Sequence, residues 1–151
     1  MRIKYFYFLL ISISFLISGC NSSSNKTPDN DQTPSISFEN YKIADGFEIQ
    51  LAASEPLIEA PVVLDFDNQG RMWVVEMRGY MPNLAGMGED VPNGRISILE
   101  DLNKDGRADH VKVFLDSLVL PRAIAHVYGG LLYAAPPNLW FVEIQNDKPG
   151  K

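Results

Sequence analysis

The chain reads as an all-β protein, and three observations predict it. No convincing amphipathic helical period appears after the first twenty residues. Short runs rich in β-branched and aromatic residues alternate with Gly-, Asn- and Asp-containing turns. One strand–turn–strand unit, residues 61–76, has an echo 60 positions later at residues 121–136, with Pro61 on Pro121, Leu64 on Ile124, Gly70 on Gly130, Met72 on Leu132 and Trp73 on Tyr133. Only two of those 16 positions are identical, so the repeat rests on the strand order around it. That order predicts a partial β-propeller of about two four-stranded antiparallel blades, the second incomplete, preceded by a signal peptide and a disordered spacer.

The first element is not part of the fold. Met1-Arg-Ile-Lys4 is a short basic start, followed by an apolar run from Tyr5 to Ile17 and then Ser18-Gly19-Cys20. The run is shorter than the roughly 20 apolar residues a spanning helix needs, so residues 1–19 read as a secretory signal. Ile17-Ser-Gly-Cys20 resembles the bacterial lipobox, in which Cys20 becomes the lipidated first residue of the mature protein. The alternative is an ordinary signal peptide that happens to carry a cysteine. Cys20 is the single cysteine, which excludes an internal disulfide, a CxxC pair and a CxxCH haem site.

Arg2 and Lys4 leave with residues 1–19, so 11 basic residues face 19 acidic ones and the mature net charge is −8. An acidic surface argues against nucleic acid and against electrostatic adhesion to anionic lipid. The membrane partner is expected to be held by acyl groups on Cys20. The expected address is the cell envelope, periplasmic or surface-exposed, with Asn21 after the cysteine favouring the outer membrane. Residues 20–37 form the spacer: from Asn21 to Pro34 there is no apolar side chain to bury.

The folded domain is expected over residues 38–151. Residues 46–56 alternate Phe47, Ile49 and Leu51 with Glu48 and Gln50, which predicts a half-buried strand. Val62–Phe66 and Met72–Met77 flank the Asp67–Gly70 turn as a hairpin. Residues 78–93 carry Gly79, Pro82, Gly86, Gly88 and Pro92 and no period, which predicts a long and functional loop. Gly94–Glu100 and His110–Leu115 are the next strands, and a turn over residues 116–121 leads into the second copy. There Asn138–Glu143 takes the place of Gly94–Glu100, and no fourth strand is expected after Asn146. One blade and most of another leave open edges. The chain is therefore expected to be a piece of a longer frame, to pair with other chains, or to form a small sandwich, the first being preferred. Trp73 and Val74 are expected to pack against blades outside this chain.

Several residues invite chemistry. In Asp101-Leu-Asn-Lys-Asp-Gly-Arg-Ala-Asp109, oxygen side chains fall at loop positions 1, 3, 5 and 9, with Gly106 at position 6. That is the front of a calcium loop, with Asp101, Asn103, Asp105 and Asp109 as ligands, Arg107 offering its carbonyl and Glu100 completing the shell. Lys112 stands where an EF-hand places its bidentate glutamate, so the competing reading is a solvated Asx-rich turn without an ion. Asp65 and Asp67 share one strand face, either for acid–base work or to bond the amides of their own turn. Arg78, where a strand enters the long loop, is the candidate anion or cofactor contact, unless it pairs with a nearby acid. His126 is a general-base candidate with no partner visible in the sequence, or a satisfied core or rim residue. His110 reads as exposed, and Met72, Met77, Met81 and Met87 as packing or loop residues. Phosphate-loop, Ser-His-Asp and zinc spacings are absent.

Taken together, Gly46–Pro56, Gly70–Arg78, Gly94–Asp101 and the Asn103–Asp109 loop resemble the N-terminal propeller of the PVC-type membrane-bound dehydrogenases, also called haem-binding CxxCH proteins. The resemblance runs from about Asp45 to the C-terminus. It implies kinship with quinoprotein sugar and alcohol dehydrogenases, which use pyrroloquinoline quinone held in a complete propeller. It also implies further blades and a downstream cytochrome domain as partners. The match carries over Asp101, Asn103, Asp105 and Asp109, and the Glu76–Arg78 strand end. No quinone ligand or catalytic base of the family falls on a residue of this chain, and the CxxCH is missing. The resemblance therefore implies a dehydrogenase-like module, inactive by itself. The alternative is a non-catalytic surface lipoprotein that binds glycan or protein.

Overall fold

The computed structural model describes residues 37–150, so the signal, Cys20 and most of the spacer lie outside the described residues. The described residues contain strands and no helix. The first sheet comprises β1 (Pro61–Phe66), β2 (Met72–Glu76), β3 (Gly94–Glu100) and β4 (His110–Leu118). The second comprises β5 (Ala123–Val127), β6 (Gly130–Ala135), β7 (Asn138–Gln145) and β8 (Lys148–Pro149). Each is an antiparallel meander in chain order, as propeller blades are, and the two do not close a ring.

The turns explain the strand ends. Asp67 accepts the amides of Gln69 and Arg71, and Gly70 follows at φ 78°, which together reverse the chain between β1 and β2. Tyr128–Gly129 and Asn146–Asp147 are two-residue hairpin turns with positive φ at both positions. β8 is a fourth strand of two residues that the sequence does not predict. The Asn146–Asp147 turn folds it onto β7, where the Gly150 amide reaches the Glu143 carbonyl at 2.7 Å.

The main core lies between the two sheets. Trp73, Val75, Ile96, Ile98 and Phe114 of the first sheet meet Leu131 of the second, with Val63, Leu115, Ile124, Tyr133, Val142 and Ile144 around them. This corrects the expectation for Trp73. It is 1% exposed, 4.8 Å from Phe114 edge-to-face, inside this chain rather than waiting for another blade. Val74, on the opposite face, is buried with Ile58, Leu99 and Ala108, and Ala53 and Leu57 pack on them.

Ala53 of that cover belongs to the segment expected to be a strand, and Leu57 and Ile58 lie just beyond it. Residues 46–56 make no ladder, and Phe47 is 76% exposed. The segment runs across a sheet face instead of along an edge, tied by the Ala108 amide to the Ala52 carbonyl at 2.7 Å. Its alternation is real, but no strand edge pairs with it.

The 60-residue repeat also needs adjustment. Leu64 faces Val74 in β1–β2, whereas Ile124 faces Tyr133 in β5–β6. The β5–β6 turn is shorter, so the ungapped alignment holds for β6 but slips by one residue in β5. Such a slip exchanges faces: Leu64 points out and Ile124 points in. The turn conformation of Gly70 (φ 78°) belongs to Gly129 (φ 75°), not to Gly130.

Candidate functional site

Polar chemistry gathers at both ends of the sheets. At the end holding the β1–β2, β3–β4, β5–β6 and β7–β8 connections, Arg71 is the centre. Its Nε meets Asp67 Oδ2 at 2.8 Å, its Nη1 and Nη2 meet the Asp147 carboxylate at 2.8 Å each, and Nη1 reaches Glu100 at 3.3 Å. Lys112 joins Glu100 at 2.9 Å and Asp147 at 3.1 Å. Two cations thus hold three carboxylates and tie the first sheet to the β7–β8 turn.

The titration of these groups follows from the contacts. Hydrogen bonds from Arg71 and Lys112 hold the Asp147 carboxyl down at about 2. Lys112, with help from Arg71, pulls Glu100 below its ordinary value, and the same carboxylates raise Lys112 and Arg71. For Asp67, burial pushes upward, but bonds from Trp73, the Arg71 amide and the Arg71 side chain win and lower it.

Beside this network Asp65 and His126 meet across the two sheets, with Oδ2 3.0 Å from Nδ1. The His126 bond lowers the Asp65 pKa. The imidazole stands edge-to-face on Trp73 at 4.8 Å, and its Nε2 is buried without a partner. The sequence separates Asp65 and His126 by 61 positions, which is why no partner for His126 is legible there. Asp65 and Asp67 do point to one side, but to different tasks, Asp67 being the one that organises its own turn.

At the opposite end Glu76 is fully buried and fully bonded. It accepts Arg95 Nε at 2.7 Å and Nη2 at 2.9 Å, Ser97 Oγ at 2.5 Å and the Glu59 amide at 2.8 Å. Arg95 is raised by that pair first of all. Arg78 leaves β2 beside it and gives its Nε to Glu59 at 2.7 Å, so its nearest anion is this chain's own acid. The long loop is ordered by its side chains: Asn83 caps residues 85–87, and Glu89 accepts the Met81 amide.

The residues proposed from sequence as metal ligands do lie in one loop, between β3 and β4. Their oxygens face the loop's own amides. Asp101 accepts Lys104, Asp105 and Gly106. Asp105 accepts the Arg107 amide. Asp109 accepts Leu102 and Asn103, while Asn103 bonds Asp105. Glu100 turns instead to Arg71 and Lys112. Among the described residues no group of three acidic, His or Cys side chains is arranged to hold a metal. The loop is thus shaped by Asx-type bonds from its own amides to Asp101, Asp105 and Asp109. His110 is exposed, as the sequence suggests, 3.9 Å from Glu100. Cys20 lies outside the described residues.

Residues 33–150 match a family model described as a domain of unknown function (DUF7133). No curated protein matches the chain, and no solved structure does.

Proposed function

The chain belongs to the DUF7133 family, and from that premise we propose that it is a lipid-anchored, extracytoplasmic β-propeller module of a dehydrogenase-like protein, not active by itself. The observation that supports this most is the exposed apolar surface on both sheets. On the second sheet the outward positions of β5–β7 from residue 123 to 141 are Ala123, Ala125, Val127, Leu132, Ala134, Leu139 and Phe141. Leu139 is 65% exposed and Phe141 50%. On the first sheet Val62, Leu64 and Phe66 form an exposed apolar row along β1. A sheet with one solvated face alternates apolar and polar residues; one apolar on both faces is built to be covered twice. Further blades of the same kind would cover both.

The reading assigns no catalytic residue. Asp65–His126 is spent between the sheets, and Glu76 on Arg95 and Ser97. Arg78 is the one candidate contact for a cofactor, and only if a pyrroloquinoline quinone in a complete propeller displaced Glu59. Haem has no attachment site in the sequence. Calcium remains part of the proposal: Asp101, Asn103, Asp105, the Arg107 carbonyl and Asp109 have the residue types and order a hard cation takes.

The deciding test is hydrophobic-dye binding to the mature chain. Strong fluorescence is expected, falling at least several-fold when Leu64, Leu139 and Phe141 are changed to Lys with the circular-dichroism spectrum intact. A chain that binds no dye would end the module reading. Palmitate labelling lost in Cys20→Ser tests the anchor. Millimolar calcium is expected to raise the melting temperature of wild type and not of Asp105→Ala; a folded protein indifferent to calcium removes that ion.

A further inference from the structure

The two sheets differ at their fourth strand. In the first sheet β4 pairs with β3 from Gly94 to Glu100. In the second, β8 pairs with β7 only at Ile144 and Gln145, and the Gly150 amide adds one bond to the Glu143 carbonyl. Among the described residues, Asn138 to Val142 therefore keep an open edge. The parity of the ladder fixes which groups are free there. The Ile144 amide bonds Gly129 on the β6 side, and the Glu143 carbonyl bonds Gly150 on the other. Counting back from Glu143, every second residue points away from β6, so the backbone groups of Leu139 and Phe141 line the open side. The usual protection of an edge is missing: Asn138–Val142 holds no charge, no proline and no bulge.

The chain also carries a strand pattern without a ladder. The Gln50 side-chain amide donates to Glu48 at 2.6 Å, which sets those two side chains on one side of an extended backbone. Phe47 and Ile49 alternate with them and are 76% and 37% exposed. Five residues, Phe47 to Leu51, thus match an open edge of five, Asn138 to Val142. Within one chain the two do not meet. Ala52 is fastened to the Ala108 amide at 2.7 Å behind the first sheet, whereas β7 belongs to the sheet in front.

We infer that a second copy of this chain supplies the strand, its Phe47–Leu51 segment adding to β7 along Asn138–Val142. An edge selects an extended backbone, which alone offers amides and carbonyls at the two-residue spacing of Leu139 and Phe141. The donor's first sheet would follow its segment and bring Val62, Leu64 and Phe66 towards the acceptor's Leu139 and Phe141. That covers exposed apolar surface on both copies. Donor and acceptor surfaces differ, so each copy gives one strand and takes another, and the contact builds a ring or a filament. The inference rests on the module reading and names the covering partner as this chain itself. Dye binding in dilute solution tests that reading alone; strand donation is read from the backbone.

The test is sedimentation velocity of the mature chain carrying Cys20→Ser, which removes any acyl contribution. Reversible association is expected in the micromolar range. Neighbouring amides of a strand point to opposite sides, so one of Glu48→Pro and Ile49→Pro removes a bond to β7. That variant should associate at least tenfold more weakly, and neither should melt lower in dilute solution, since no ladder of the single chain is touched. Hydrogen exchange gives a second readout that needs no variant. The Leu139 and Phe141 amides should exchange at least tenfold more slowly in concentrated than in dilute solution, while the Trp140 amide, on the β6 side, stays unchanged. A chain monomeric throughout the micromolar range would overturn the inference, and so would fast exchange at Leu139 and Phe141 in the assembled state. Assembly that Leu139→Lys dissolves but both proline variants leave intact is face packing alone. It overturns strand donation and leaves the module reading standing.

Discussion

At the residue scale, Arg71 and Glu76 show how charge is used here. Each stands on or beside β2, and each closes a network that joins segments far apart in sequence. Removing one member of such a set strands its partners, which costs far more than the pair itself contributes. Arg71→Met is therefore expected to destabilise the fold by about 3 kcal/mol in urea unfolding, because Asp67, Glu100 and Asp147 lose their shared cation. Glu76→Gln should cost about as much by leaving Arg95 without its carboxylate. Asp147 gives a pH signature. Its folded value of about 2 lies below the unfolded 3.8, so its contribution is whole above about pH 4 and is lost as pH falls towards 2. Asp65, Asp67 and Glu100 are lowered too and act in the same direction. Melting temperatures should therefore fall steeply over that window, and Asp147→Asn should start lower at neutral pH and fall less. The partnerships of Arg71 with Asp147 and of Asp65 with His126 were not legible in the chain, because sequence spacing carries no information about which turn of the second sheet lies over which turn of the first. His126 is the clearest case: only the packing of β5 on β1 reveals Asp65.

At the element scale, the strands are what the sequence states best. Gly94–Glu100 has the boundaries its pattern predicts, and the long loop before it is where five Gly and Pro residues put it. Residues 46–56 mislead because their alternation is not used within the chain: Phe47 and Ile49 stay exposed, and no strand edge pairs with the segment. Ala53, Leu57 and Ile58, at and beyond its end, form a strap that keeps Val74, Leu99 and Ala108 dry. Ile58→Ala should thus cost about 2 kcal/mol despite lying outside every strand. Trp73→Ala, at the junction of Phe114, His126 and Leu131, should cost about 4 kcal/mol and separate the two sheets. The same unfolding experiment ranks both. The repeat was legible as strand–turn–strand but not in register, since one residue fewer in a hairpin turn changes faces without changing composition.

At the scale of the whole molecule, two meanders packed face to face leave an apolar row along β1 and an apolar face over β5–β7 outward, and that pattern governs behaviour in solution. Single lysines at Leu139 or Phe141 are expected to change stability by no more than about 0.5 kcal/mol, because both side chains are substantially exposed, while reducing self-association in sedimentation velocity. A stability loss of several kcal/mol would mean that the faces are already covered within the chain. The sequence by itself determined the class, the order of β1 to β7, most of their turns and the acidic charge, because alternation, Gly and Asx placement and charge are local properties. The tertiary structure alone decided what each strand faces. It put Trp73 inside, laid Ala53, Leu57 and Ile58 over a sheet face, gave Asp65 to His126, and turned the loop carboxylates to their own amides. The reason is physical: local pattern fixes how a strand alternates, but only the docking of one sheet on another fixes which face is buried and which charges meet.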